Sequence, residues 1–104
     1  MKKVLISLVS VAALASFQTV MASEGEDLFK SKPCVACHNP TAQLVGPAFT
    51  AVTAKRGEGE EAVALVADHI KNGSAGEYGP IPMPPNVVTD EEAKILAEWV
   101  LSHK

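Results

Sequence analysis

Cys34-Val35-Ala36-Cys37-His38 is the stretch that decides how the rest of the chain is read. Two cysteines three apart, followed at once by a histidine, form the pattern of covalent c-type haem attachment. Each thiol can add to one haem vinyl group and leave a thioether. On one helical turn this spacing puts both sulfurs on the same side, facing the porphyrin edge. His38 follows the second anchor directly, so its imidazole can fold over the ring and present one nitrogen to the iron. A bare Cys-x-x-Cys also serves thiol redox chemistry and zinc. A redox dithiol needs a βαβ context, and no alternating strand pattern occurs anywhere in the chain.

Upstream of the motif, the chain opens with Lys2 and Lys3, a nearly all-apolar run over 4–14, and small residues around Ala22. This is the pattern of a secretory signal peptide, so residues 1–22 are expected to be cleaved. The apolar run is shorter than the about 20 residues a membrane-spanning helix needs, so no membrane insertion is expected. Residues 23–104 then form a single domain of 82 residues, near the lower size for an unaided hydrophobic core. A buried macrocycle would add apolar area that the side chains lack. The only two cysteines both lie in the motif, so export without a disulfide framework is consistent if the thiols are used on haem.

Residues 23–104 keep seven of the nine Lys and Arg and all 12 acidic residues, a formal net charge of −5. That excludes a typical nucleic-acid binder. Docking to proteins follows local patches rather than the total. Lys30 and Lys32 lie just before the motif, and Lys55-Arg56 form a second basic pair. They are either solvated surface or a positive rim round an exposed haem edge.

The remaining chain reads as helices and loops. Glu24 to Lys32 is a short helix with Leu28 and Phe29 as apolar contacts, interrupted by Pro33. Asn39-Pro40 opens a loop that leads to Leu44-Val45-Gly46-Pro47. An iron-bound histidine needs a partner for its other ring N–H. The Pro47 carbonyl is a candidate, as is any carbonyl of this loop. Ala48 to Arg56 is a second helix, with Phe49 and Val52 inward. Glu60 to Lys71 is a third, with Val63, Val66, Ala67 and Ile70 as its apolar stripe. Thr89 and Glu92 form a capping box for the last helix, whose inner face is Ile95, Leu96, Trp99 and Val100. Trp99 is read first as core packing and second as a group that tunes the haem. The fold class is all-α, without internal repeats.

The loop from Gly73 to Val88 is long for so small a domain, and such loops are usually functional or disordered. Pro80, Pro82, Pro84 and Pro85 restrict its backbone. Met83 sits among them and is the only methionine left after cleavage. Its thioether is a soft, neutral donor that favours ferrous iron and raises the potential. Met83 is therefore the expected second iron ligand, ahead of His69, His103 or an open position. His103 sits next to the C-terminus, where ends fray. His69 fits a surface group or a propionate partner. Asn86 can donate to the bound sulfur and Tyr78 to a propionate, against ordinary turn and packing roles.

Taken together, Cys34-Val35-Ala36-Cys37-His38, Leu44-Val45-Gly46-Pro47-Ala48, Lys71-Asn72-Gly73-Ser74 and Gly79-Pro80-Ile81-Pro82-Met83-Pro84-Pro85-Asn86 resemble the short bacterial class I cytochromes c, of the c-551/c-552 type. The resemblance covers residues 23–104. It implies about four helices wrapped round one haem c held through Cys34 and Cys37, with His38 and Met83 on the iron. It implies that Pro47 accepts from His38 and that Asn86 donates to the methionine sulfur. Tyr78 stands where the family often has a tryptophan that bonds a propionate, and His69 where it often has an arginine. Both departures keep a possible donor.

The function implied is that of a soluble periplasmic electron carrier, not an enzyme, and a monomer. It would dock transiently to redox proteins at the exposed haem edge. Partners in the family include redox enzymes of nitrite and nitrogen-oxide respiration and terminal oxidases. The competing class is a haem enzyme or gas binder, such as a peroxidase. It needs a displaceable sixth ligand and polar distal groups, and no distal histidine or arginine is placed to help.

Overall fold

The computed structural model describes residues 22–104; residues 1–21 of the expected leader lie outside the described residues. Among the described residues, four α-helices are connected by loops. The first, α1, is helical over 22–31. Pro33 ends it, as its missing N–H and its effect on the preceding residue require. A single 3-10 turn, Pro33–Ala36, follows at once with the proline in its first turn. Then come α2 (Phe49–Arg56), α3 (Glu60–Asn72) and α4 (Asp90–Val100). Among the described residues the only sheet-like pairing is a lone antiparallel bridge between Ser74 and Met83.

The last helix organises the core. Ala93, Leu96, Ala97 and Val100 fall at i, i+3, i+4 and i+7 and are all buried. That face packs chiefly on α3 and to a lesser extent on α2. The expected capping box starts the helix: Thr89 Oγ1 accepts from the Glu92 N–H at 3.0 Å, and Glu92 Oε1 accepts from the Thr89 N–H at 2.9 Å. Two orphan donors are satisfied at once. Each large apolar side chain of this face contributes roughly 1.5–3 kcal/mol by leaving water.

The inner face of α3 follows the expected stripe: Val66 and Ile70 are buried, Val63 and Ala67 are partly covered against the core, and Ala62 joins the buried set. The i, i+4 spacing of 62, 66 and 70 lets the helix meet α4 on small and branched side chains. In α2, Phe49 and Val52 are buried as expected, and Thr53 joins them. Its hydroxyl donates to the carbonyls of Phe49 (3.1 Å) and Val100 (3.3 Å), which ties α2 to the end of α4.

Phe29, Phe49 and Trp99 form an aromatic cluster where α1, α2 and α4 meet, with ring centroids 5.1–5.6 Å apart. Edge-on and tilted contacts of this kind add about 0.5–1.5 kcal/mol beyond burial. Phe29 and Phe49 of this cluster also line a cleft.

Candidate haem site

The Cys-x-x-Cys-His stretch folds as a tight turn. The N–H groups of Cys37 and His38 both donate to the Cys34 carbonyl, at 3.1 and 2.9 Å. With about three residues per turn, Cys34 and Cys37 lie one above the other, and both line the cleft with His38. Burial pushes the Cys34 thiol above its ordinary range, against the pull of its own backbone and Lys32. A thiol kept neutral is a poor nucleophile for disulfide exchange.

His38 is held from two directions. Its Nδ1 lies 2.9 Å from the Pro47 carbonyl oxygen. A carbonyl only accepts, so Nδ1 carries the proton and Nε2 keeps its lone pair for a metal. The imidazole also stacks on Phe49, with centroids 5.4 Å apart and planes 29° apart. Gly46 passes so close that a Cβ there would lie 2.4 Å from His38 Cε1. Its N–H donates to the Cys37 carbonyl at 2.8 Å. Sequence reasoning overlooked Gly46 and gave Phe49 only a core role. The signal for Gly46 was its place directly before Pro47.

Met83 lines the same cleft, and its backbone is pinned to the end of α3. Its N–H donates to the Ser74 carbonyl at 2.8 Å, and the Ser74 N–H donates back at 3.0 Å. Gly73 makes the reversal with φ +82°, and a Cβ there would meet the Met83 carbonyl at 2.6 Å. Asn86 fastens the far end of the loop. Its backbone N–H and its Nδ2 both donate to the Ile70 carbonyl, at 3.2 and 3.0 Å. The amide nitrogen expected to reach the sulfur thus has one hydrogen on α3. Trp99 lies outside the cleft lining, in the aromatic cluster, with His103 edge-on at 4.6 Å.

A polar group occupies one margin of the cleft. His69, Glu77 and Tyr78 line it, and Arg56 stands behind them. Arg56 Nε donates to the Tyr78 hydroxyl oxygen at 3.3 Å. Arg56 Nη2 lies 3.0 Å from Glu77 Oε2. That nitrogen is buried and its angle falls short of a hydrogen bond, so the contact is an ion pair. Glu77 Oε1 is 3.6 Å from His69 Nε2. The Arg56 guanidinium holds the Glu77 carboxyl below the ordinary carboxylate range. Lys55 donates to the Glu77 carbonyl, and its Nζ lies 4.5 Å above the Tyr78 ring. Both members of the basic pair are therefore engaged within the chain. Lys30 pairs with Glu26 at 3.1 Å, and Lys32 donates to the Val87 carbonyl at 3.2 Å.

The cleft and its open mouth together span about 1210 Å³. Its inner lining is apolar side chains of all four helices, including Phe29, Val52, Ile70 and Leu96. Two thiols, an oriented imidazole, a thioether and the Tyr78 phenol face one apolar space. A flat apolar macrocycle with two carboxylates and a central metal fits this donor set.

Comparison with known proteins agrees. The sequence profile of the cytochrome c family matches residues 22–104. Cytochrome c-551 of Stutzerimonas stutzeri is 57% identical over 104 residues, covering 100% of both chains. Cytochrome c-552 of Hydrogenobacter thermophilus is 46% identical over 104 residues, again covering 100% of both. The crystal structure of wild-type Nitrosomonas europaea cytochrome c552 superposes with a TM-score of 0.72 at 46% identity, over 76% of this chain and 99% of that one. The chain therefore belongs to the cytochrome c family, and is a one-electron carrier of the c-551/c-552 type with one covalently held, His/Met-ligated haem c.

Proposed function

We propose that this chain works in the periplasm after removal of residues 1–22, with His38 and Met83 as the two iron ligands. The bound haem supplies one-electron exchange between Fe(III) and Fe(II). Cys34 and Cys37 anchor it at one edge. His38 offers Nε2 because the Pro47 carbonyl holds the proton on Nδ1, at 2.9 Å. This contact is the single observation that carries the ligand assignment. Met83 offers a soft donor from a loop fastened by Ser74 and Asn86. Two protein ligands on fixed backbone leave little to rearrange between oxidation states, and no place for a substrate.

The docking face in this reading is the apolar surface beside the motif. Val35, Leu44, Val45 and Ile81 are 48–64% exposed. Small, wet, short-lived contacts suit electron transfer between proteins. With all four neighbouring basic residues engaged internally, the apolar patch rather than a cationic rim guides the encounter. No helix among the described residues is long and apolar enough to cross a membrane.

The test is an optical spectrum of the purified mature protein, oxidised and reduced, followed into the far red. A ferric iron–sulfur band with a low-spin reduced spectrum is expected, together with loss of that band in Met83→Ala. High-spin iron, or low-spin iron without the band, means an open or histidine-held sixth position and overturns the assignment of Met83. A mature N-terminus other than Ser23 overturns the cleavage site.

A further inference from the structure

Arg56 is the one arginine of the chain, and only 15% of its side chain is exposed. A guanidinium has five donors and no acceptor. Its 3.3 Å contact with Tyr78 therefore runs one way, from Nε to the phenol oxygen. This leaves the Tyr78 hydroxyl hydrogen with no acceptor among the described residues, on a side chain that lines the cleft. The same guanidinium reaches Glu77 through Nη2 at 3.0 Å and neutralises the carboxylate of the residue directly before Tyr78. Lys55 closes over the Tyr78 ring from the same helix. Two neighbours of the 73–88 loop are thus tied to the last turn of α2.

We propose that Arg56 is a positioning residue: it fixes the Tyr78 hydroxyl as a donor into the cleft, toward a carboxylate of the bound macrocycle, and ties the Met83 loop to α2 through Glu77. A phenol without this partner can turn its hydrogen either way, and can spend it on the Glu77 carboxylate. With Arg56 in place, Glu77 is taken up by charge, and the phenol oxygen already accepts. The acidic group in the cleft is then the remaining acceptor. Lysine is no substitute, because a single ammonium cannot place one nitrogen on the phenol oxygen and another beside the carboxylate as the planar guanidinium does.

The inference rests on the haem-carrier reading and is tested on the holoprotein by a double-variant cycle. Tyr78→Phe removes the donor and is expected to lower the reduction potential, since an unbonded carboxylate favours ferric iron. Arg56→Lys keeps the charge and is expected to move the potential the same way. The double variant is expected to match Tyr78→Phe alone. An unchanged potential in Arg56→Lys, or shifts that add in the double variant, overturns the proposal. A measurement on the unaltered reduced protein covers the case in which Arg56→Lys does not assemble. The Tyr78 hydroxyl proton should give a slowly exchanging resonance with nuclear Overhauser contacts to the haem propionate methylenes, and a fast-exchanging hydroxyl overturns the proposal. Absence of the wild-type sulfur band would overturn the Met83 assignment, while the shifts between variants and the hydroxyl resonance still test Arg56 and Tyr78 on their own.

Discussion

The two segments that carry the iron ligands are built by opposite means. Residues 34–47 hold themselves together. Cys37 and His38 bond back to Cys34, Gly46 bonds back to Cys37, and His38 bonds forward to Pro47. Residues 73–88 have one internal bridge, Ser74 with Met83, and are otherwise held by other elements. Ile70 in α3 takes both donors of Asn86, and α2 grips Glu77 and Tyr78 through Lys55 and Arg56. A segment tied by local bonds keeps its geometry while its neighbours loosen. A segment tied by long-range bonds fails when any tether fails. The Met83 side should therefore open before the His38 side.

Three changes break or sharpen this contrast. The largest effect is expected at Gly46, where there is no room behind the imidazole. Gly46→Val drives a side chain into His38, whose ring atoms lie 2.4–3.0 Å from the site of a Cβ. Overpacking of this kind costs about 1–3 kcal/mol. Denaturant unfolding should show that loss together with a disturbed iron spectrum at ambient temperature. Retention of the wild-type spectrum and midpoint would mean that the close approach is not needed.

Asn86→Ala should act more gently and on the other side. It removes one of two donors to Ile70, and the backbone N–H keeps that carbonyl satisfied. A loss of about 0.5–1.5 kcal/mol is expected. The sulfur band should fade on heating well before helicity is lost, and coincident transitions would contradict a separately tethered loop.

Acid should produce the smallest change. The Glu77 carboxyl is held below its ordinary value by Arg56. A folded-state value below the unfolded one contributes stability that is present above the unfolded value and lost as pH falls through the folded one. The loop tether therefore weakens below about pH 4.5, the unfolded reference. Glu77→Gln should remove this acid sensitivity of the sulfur band, and an identical acid profile in the variant would exclude Glu77 as its source.

What the sequence determined by itself was whatever depends on neighbours along the chain. Cys34, Cys37 and His38 announce the cofactor because thioether spacing and ligand placement are local. Thr89 and Glu92 announce the start of α4 because a capping box closes over three residues. The proline run around Met83 marks a constrained loop for the same reason. The face that α3 presents was legible except in its first turn, where Ala62 is more buried than Val63, because both suit an apolar stripe and the fit against α4 chooses between them. Only the tertiary structure decided which groups meet across the cleft. Lys55-Arg56 reads as a surface pair, yet its charges are turned onto residues 77 and 78, and no periodicity links positions so far apart. Asn86 reads as a donor to sulfur from the sequence, and the fold alone shows that one of its amide hydrogens is taken by Ile70. Trp99 packs behind the site rather than in it. Hydrogen-bond directions and close approaches of this kind depend on where helices cross, and that is set by the packing of the whole core.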